Sequence, residues 1–320
     1  MIRGMEPQDD PSGTYITRNR AEWASLSENL PVKISDETLR RLSSMLDFID
    51  RKLVYQVYLP LTELINLHVE NARQLYSSTH DYLDLSEGKT PFIIGIAGSV
   101  AVGKSTSARL LRELLSQGPG HPRVELITTD GFLLPNRVLR ERGLMQRKGF
   151  PESYDRRALL QFVLDVKSGV PEVVAPVYSH LTYDIVPDEM VVIQHPDILI
   201  VEGLNVLQPA QLRPDGTTGL AVSDFFDFSV YVDASVRNLR HWYLERFMLL
   251  RETAFRDPRS YFTRFAAMDA DDALAYAGEI WDTINGPNLI QNILPTRGRA
   301  RVILRKNRHH SIDWVRIRKI

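Results

Sequence analysis

One stretch constrains this chain more than any other. The apolar run Phe92-Ile93-Ile94-Gly95-Ile96-Ala97 passes directly into Gly98-Ser99-Val100-Ala101-Val102-Gly103-Lys104-Ser105, with Thr106 next. A short, continuous apolar run reads as a strand buried on both faces. The eight residues after it fit G-x-x-x-x-G-K-[ST], placed after a strand and ahead of helical spacing from Ser105 to Leu115, where that pattern carries meaning. Glycines let main-chain N–H groups close around phosphates without a Cβ in the way. A helix starting at Ser105 adds a favourable dipole for an anion. Lys104 is placed to reach the outer phosphates of a nucleotide, and the Ser105 hydroxyl to ligate Mg2+. A glycine-rich turn that merely contains Lys and Ser is the bland alternative, and the flanking strand and helix speak against it. The motif implies binding of nucleotide phosphates; it does not say which reaction follows.

Apolar runs of the same kind recur at Val124 to Thr128, Ile198 to Val201, Phe228 to Val232 and Arg301 to Leu304. Helical spacing separates several of them, at Ser105 to Leu115, Arg157 to Val166 and Val236 to Leu250. Alternation of this sort predicts an α/β fold, a mostly parallel sheet flanked by helices. From Ser35 to Leu85 the apolar spacing is helical throughout: Leu39, Leu42, Leu46 and Ile49 form one stripe, and Leu61, Leu64, Ile65 and Leu67 to Leu75 another. Pro60 suits the first turn of the second helix. The expected organisation is a flexible leader over 1–14 followed by one domain over 15–320. Within it, 15–88 form an N-terminal helical part and 89–320 an α/β core. A Pro-, Gly- and Thr-rich stretch, about 209–219, reads as a loop insertion.

Composition narrows the partners. The 320 residues carry 43% hydrophobic and 25% charged side chains and a formal net charge of −1, so neither nucleic acid nor a membrane surface is favoured. The basic C-terminal stretch from Arg305 to Lys319 is too short to change that. No cysteine is present, which excludes disulfides, thiolate metal sites and thiol nucleophiles. The N-terminus is polar with no signal-like core, and no apolar run approaches the roughly 18 residues that span a bilayer. A cytoplasmic protein is expected.

Phosphoryl transfer needs a group to activate the acceptor hydroxyl and cations to meet the charge on the transferred group. Asp130, in Ile127-Thr-Thr-Asp130-Gly131-Phe132, follows a strand, and strand carboxyl ends line the crevice of an open α/β sheet. It is the candidate base, against the alternative of a simple Asp-Gly turn. Glu202, directly after Ile198-Leu-Ile-Val201, is the candidate acid for Mg2+, directly or through water, against a solvated strand-end carboxylate. Arg137, Arg140, Arg142, Arg147 and Lys148 follow Asp130; most read as a solvated helix face, Lys148 least so. Arg246 lies three residues after Tyr243, on one helical face with it. Pro176-Val-Tyr178-Ser-His180-Leu-Thr-Tyr183-Asp184 is dense in hydrogen-bonding rings suited to a polar organic acceptor. No nucleophile-elbow serine suggests a hydrolase.

Taken together, these blocks resemble the type I, bacterial pantothenate kinases of the P-loop kinase superfamily, closest to actinobacterial members. The resemblance runs through Thr128 to Phe132, Arg147-Lys-Gly-Phe-Pro-Glu-Ser-Tyr154, Pro176 to His180, Val201-Glu-Gly-Leu-Asn-Val-Leu207, Trp242-Tyr243, Arg246-Phe247, Ile280-Trp281, Asn285-Gly-Pro-Asn288 and Asn292 to Arg297. It implies ATP- and Mg2+-dependent phosphorylation of pantothenate, the first step of coenzyme A synthesis. By the same resemblance Asp130, Lys104 and Arg246 carry the catalysis. Tyr178, His180, Tyr183, Tyr243, Arg246 and Asn285, with Asp130, hold the substrate. Arg109, Lys148, Phe247, Phe255 and Phe262 are candidates for contact with coenzyme A as an inhibitor, although the phenylalanines read by themselves as ordinary core. A homodimer is implied as well. The rival readings are another small-molecule kinase of the uridine or phosphoribulo type, and a nucleotide-binding switch without acceptor chemistry.

Overall fold

A computed structural model describes residues 13–27, 34–42, 49–85, 90–210 and 216–319. Nine strands lie among them: β1 (Tyr15–Asn19), β2 (Phe92–Gly98), β3 (Val124–Thr128), β4 (Glu172–Ser179), β5 (Asp184–Gln194), β6 (Ile198–Glu202), β7 (Phe228–Asp233), β8 (Val302–Lys306) and β9 (Ile312–Arg318). Seven form one sheet in the order β1-β9-β8-β7-β2-β6-β3, while β4 and β5 form a separate antiparallel hairpin. The five strands from β8 to β3 run parallel, as the apolar runs predict. Strand β2 is buried along its whole length, and β6 and β7 are too. A strand covered on both faces has no solvent side, hence no alternation in its sequence.

The main helices are α1 (Leu59–Tyr82), α2 (Lys104–Ser116), α3 (Asn136–Glu141), α4 (Arg156–Lys167), α5 (Val236–Glu252) and α6 (Ala270–Ile280). Pro60 sits in the first turn of α1, which continues directly from a π-helical turn over Val54–Tyr58. One apolar cluster takes in Trp23, Leu61 and Ile65 from the N-terminal part together with Ile94, Leu199 and Val230 from the sheet. The stripes expected there need one correction. Leu39, Leu42, Ile49, Leu61 and Ile65 are buried, but Leu67 and Leu75 are 65% and 66% exposed; the buried face of α1 continues through Val69 instead. Leu46 lies outside the described residues.

Two further differences concern the edge of the sheet. Residues 15–19 belong to the stretch read as helical, yet they form β1, paired antiparallel with β9. Four of its five side chains are exposed, so this edge strand leaves no apolar alternation to read. The basic stretch Arg305 to Lys319 contains β9, whose Ile312 and Val315 face inward. The leader falls mostly on 1–12 and the insertion partly on 211–215, both outside the described residues. Among the described residues no helix is long and apolar enough to cross a membrane.

The register positions the site. Thr128 of β3 and Ile96 of β2 both stand opposite Glu202 of β6, and Gly98 stands opposite Val232 of β7. The loop after β2, Asp130 two residues past Thr128, and Glu202 therefore emerge at the same, carboxyl edge of the sheet.

Candidate active site

The loop from Gly98 to Gly103 joins β2 to α2, as the motif requires. The backbone φ is positive at Ala101 (61°) and Gly103 (92°), an alternation of hand that turns successive N–H groups toward a common centre. Lys104 opens α2 and is only 8% exposed. Its Nζ donates to the Ser99 carbonyl at 3.0 Å and stands 3.7 Å from Glu202 Oε1. Ser105 Oγ donates to Glu202 Oε2 at 3.1 Å. Burial pushes the Glu202 carboxyl above its ordinary range, with Lys104 acting the other way. A lysine and a buried carboxylate thus meet at the mouth of a main-chain anion cradle. Among the described residues no group of three His, Asp or Glu side chains could hold a metal alone. Ser105 and Glu202 together do fit Mg2+, which keeps waters and takes its remaining ligands from phosphates.

Asp130 sits in the turn after β3, its side chain a quarter exposed. Its neighbour Gly131 and the residue after Glu202, Gly203, are required by close approach rather than by turn type. A Cβ at Gly131 would lie 2.1 Å from the Pro176 carbonyl oxygen, and one at Gly203 would lie 1.9 Å from Thr129 Oγ1. The first contact sets the Asp130 turn against hairpin strand β4; the second sets it against the end of β6. Around Asp130 stand the Tyr154 hydroxyl, donating to Oδ1 at 3.4 Å, and His180 Nε2, 4.0 Å from Oδ2. His180 is held below its ordinary pKa by desolvation in the cleft, with Asp130 opposing and Arg246, Lys104 and Lys148 adding to it. Its ring nonetheless keeps most of its surface open.

The hairpin turn, the C-terminal half of α5 and the segment after α6 form the other side of the cleft. Tyr178 and His180 meet edge to face with centroids 5.2 Å apart, and Tyr178 and Tyr183 do so at 6.4 Å. Tyr183 packs on Phe262 at 4.9 Å. Its backbone takes φ 55°, held by two donors to its carbonyl: Asn136 Nδ2 at 2.9 Å and Lys148 Nζ at 2.6 Å. Burial pushes the Tyr243 phenol up to about 12, with the nearby Asn285 side chain acting against the shift. Asn285 closes a π-helical turn, Trp281–Asn285, a local widening frequent at functional sites. Arg246, on α5, is exposed and near enough to His180 to influence it.

The five inhibitor candidates do not share one environment. Phe247, Phe255 and Phe262 belong to a small cluster with Phe265, distinct from the sheet core, as the bland reading of them expects. Arg109, on α2, donates to the Leu42 carbonyl at 3.1 Å. Lys148 is 8% exposed and belongs with the acceptor wall: it donates to Asn136 Oδ1 at 2.7 Å and lies 3.9 Å from the Tyr183 ring centroid. Burial pushes its amine down to about 8, against the pull of Asp184 and Asp130.

Tyr154, Asn136 and Asp184 were not singled out from the sequence as site residues. Asn136 receives Lys148, donates to the Tyr183 carbonyl, and gives its own N–H to Asp184 Oδ1 at 2.9 Å. Tyr154 lies in a block that carries the family resemblance, which was the available signal. Nothing in the spacing around Asn136 could have marked it.

A nucleotide-phosphate loop at the carboxyl edge of a parallel sheet, with one acid ending the adjacent strand β6, another just past β3, and a ring-lined recess beside it, defines the class of P-loop kinases. The model of the Phosphoribulokinase / Uridine kinase family matches residues 93–253. A pantothenate kinase of a Nocardioides species is 58% identical over 97% of this chain and 94% of its own length. That of Cutibacterium acnes is 56% identical over 98% of both. D-glycerate 3-kinase from Cryptococcus neoformans, 14% identical, superimposes with a TM-score of 0.52 over 79% of this chain and 97% of its own, a likeness of fold. The chain belongs to the pantothenate kinases, within the wider phosphoribulokinase and uridine kinase family.

Proposed function

We propose that this protein transfers the γ-phosphoryl group of ATP to the primary hydroxyl of pantothenate, the first step of coenzyme A biosynthesis. Membership of the family supports the reaction. The observation that carries the chemistry is the position of Asp130, between the Lys104–Glu202 pair and the Tyr178, His180 and Tyr183 wall. The first brings phosphates; the second is suited to an acceptor with amide, hydroxyl and carboxylate groups.

In this reading the loop from Gly98 to Thr106 cradles the phosphates with main-chain N–H groups, and Lys104 turns its ammonium toward them. Ser105 and Glu202 hold Mg2+, which when bound with ATP neutralises charge on the phosphate oxygens. Asp130 accepts the proton of the acceptor hydroxyl as that oxygen attacks phosphorus and the bond to ADP breaks. Arg246 meets the charge of the transferring group, a role that suits a guanidinium. Tyr178, His180, Tyr183, and the neighbours Tyr243 and Asn285, orient pantothenate so that its hydroxyl lies by Asp130.

The same proposal makes the protein a cytoplasmic homodimer inhibited by coenzyme A. Such an inhibitor would reach from Arg109 on α2 to the ring cluster of Phe247, Phe255 and Phe262, with Lys148 between the rings and Asp130. The direct test of the assignment is ADP release by Asp130→Ala at saturating ATP and pantothenate. Loss of a general base predicts a fall of about 10²–10⁴-fold in kcat with ATP binding retained. A variant that turns over like the wild type removes Asp130 from the role of base.

A further inference from the structure

Asp130 has two carboxylate oxygens in different surroundings. Oδ2 faces His180 and the open cleft. Oδ1 faces the hydroxyl of Tyr154, a side chain only 7% exposed. Tyr154 is fixed from both sides by a short antiparallel pairing of its own segment with the segment that follows Asp130. The Leu134 N–H donates to the Ser153 carbonyl at 2.8 Å, and the Asp155 N–H donates to the Phe132 carbonyl at 2.7 Å. Leu133 and Tyr154 are bridge partners between these two bonds. The backbone that carries the ring therefore cannot drift relative to the Asp130 turn without breaking main-chain hydrogen bonds. Burial raises the pKa of its phenol, and the negative charges of Asp130 and Glu202 raise it further, so the group stays protonated and donates. The bond of 3.4 Å is long for an O–H donor, and such contacts commonly tighten only when the reactants are in place.

We propose that Tyr154 is a positioning residue for the reaction: it holds Oδ1 of Asp130 by hydrogen bond and leaves Oδ2 as the oxygen that takes the acceptor's proton. Oδ2 is the oxygen next to His180, on the side of the cleft where the acceptor wall begins. With Oδ1 engaged, the plane of the carboxylate is held, so that its other oxygen stays on the His180 side, facing the acceptor. The inference rests on the proposed phosphoryl transfer with Asp130 as base.

The test is Tyr154→Phe, alone and combined with Asp130→Ala, assayed by pantothenate-dependent ADP release. The single variant is expected to lower kcat about tenfold, the scale of one hydrogen bond to a charged group, with KM for ATP and for pantothenate within about twofold. In the Asp130→Ala background the same change is expected to cost nothing further, because a residue that acts only through Asp130 has nothing left to position. An unchanged kcat overturns the proposal. So does a loss of ATP binding or a rise in both KM values alongside the fall in kcat, which marks a structural role, and so does an additive loss in the double variant. Wild-type protein that releases no ADP in response to pantothenate overturns the phosphoryl-transfer reading itself, and the positioning role falls with it.

Discussion

At the phosphate end of the cleft, the groups that would meet a ligand are main-chain N–H groups of the loop after β2 and one buried ion pair, Lys104 at the start of α2 with Glu202 at the end of the adjacent parallel strand β6. At the acceptor end they are side chains delivered by three separate elements: the hairpin turn between β4 and β5, helix α5, and the π-helical turn ending at Asn285. The first end is anchored in the sheet core. The second rests on its own small aromatic cluster around Phe247, Phe255 and Phe265, and Tyr243 packs against both. The difference teaches where change is tolerated. Backbone geometry fixed by strand register admits little variation, so the phosphate end suits a component shared by every member of a wide family. A pocket lined by side chains on separate elements can be recut one residue at a time, so substrate identity belongs at the acceptor end.

That contrast can be broken in order of expected effect. Lys104→Met removes the cation of the cradle and leaves Glu202 buried with Ser105 but without its cationic partner. Turnover with ATP should fall by about a thousandfold, as when a preorganised donor to a charged reacting group is lost. A variant with more than about a tenth of wild-type activity would show that main-chain groups alone suffice at this end.

Lys148 is the next lever, because it is a buried cation on the acceptor side. Its folded-state pKa is lowered, from 10.5 to about 8. For a base this means that below about pH 8 the fold bears the full penalty of holding a charged amine. Between about pH 8 and 10.5 the unfolded chain binds a proton that the folded chain does not, so stability rises with pH in that window, by at most about 3 kcal/mol. Denaturant melts of wild type and Lys148→Met should therefore differ in their pH dependence over this range, with the wild type gaining relative to the variant as pH increases. Parallel curves would mean that the amine is better solvated or better paired than its surroundings indicate.

The smallest expected effect is at Tyr243. Tyr243→Phe deletes the hydroxyl beside Asn285 and should raise KM for pantothenate about tenfold, leaving KM for ATP unchanged. Equal effects on both substrates would erase the distinction between the two ends.

How far the sequence reveals this site follows from the same contrast. The phosphate loop is legible because contiguous residues make it: strand, loop and helix occur in one uninterrupted stretch, and each has a local signature. Asp130 and Glu202 are legible because the first closely follows a strand and the second ends a fully buried one. Parallel pairing then places both at one edge of the sheet. Lys148 stood out only weakly, and its burial against Tyr183 and Asn136 depends on a hairpin distant in the chain. Tyr154 and Asn136 gave no physical signal at all, since their roles come from contacts across 24 and 47 residues of sequence. Strands β1 and β9 were missed for another reason. The edge strand β1 has four exposed side chains, and β9, paired between β1 and β8, interleaves charges with its apolar residues, so neither shows an apolar run along the chain.

The central claim is that the acceptor end selects pantothenate while the phosphate end is common to the wider family. ADP release by the wild-type protein, with ATP and Mg2+ and with pantothenate, uridine, ribulose 5-phosphate or no acceptor, tests it most directly. The account predicts rapid release with pantothenate and only background with the other three. Release that is faster with uridine or ribulose 5-phosphate, or that does not depend on any acceptor, would contradict it.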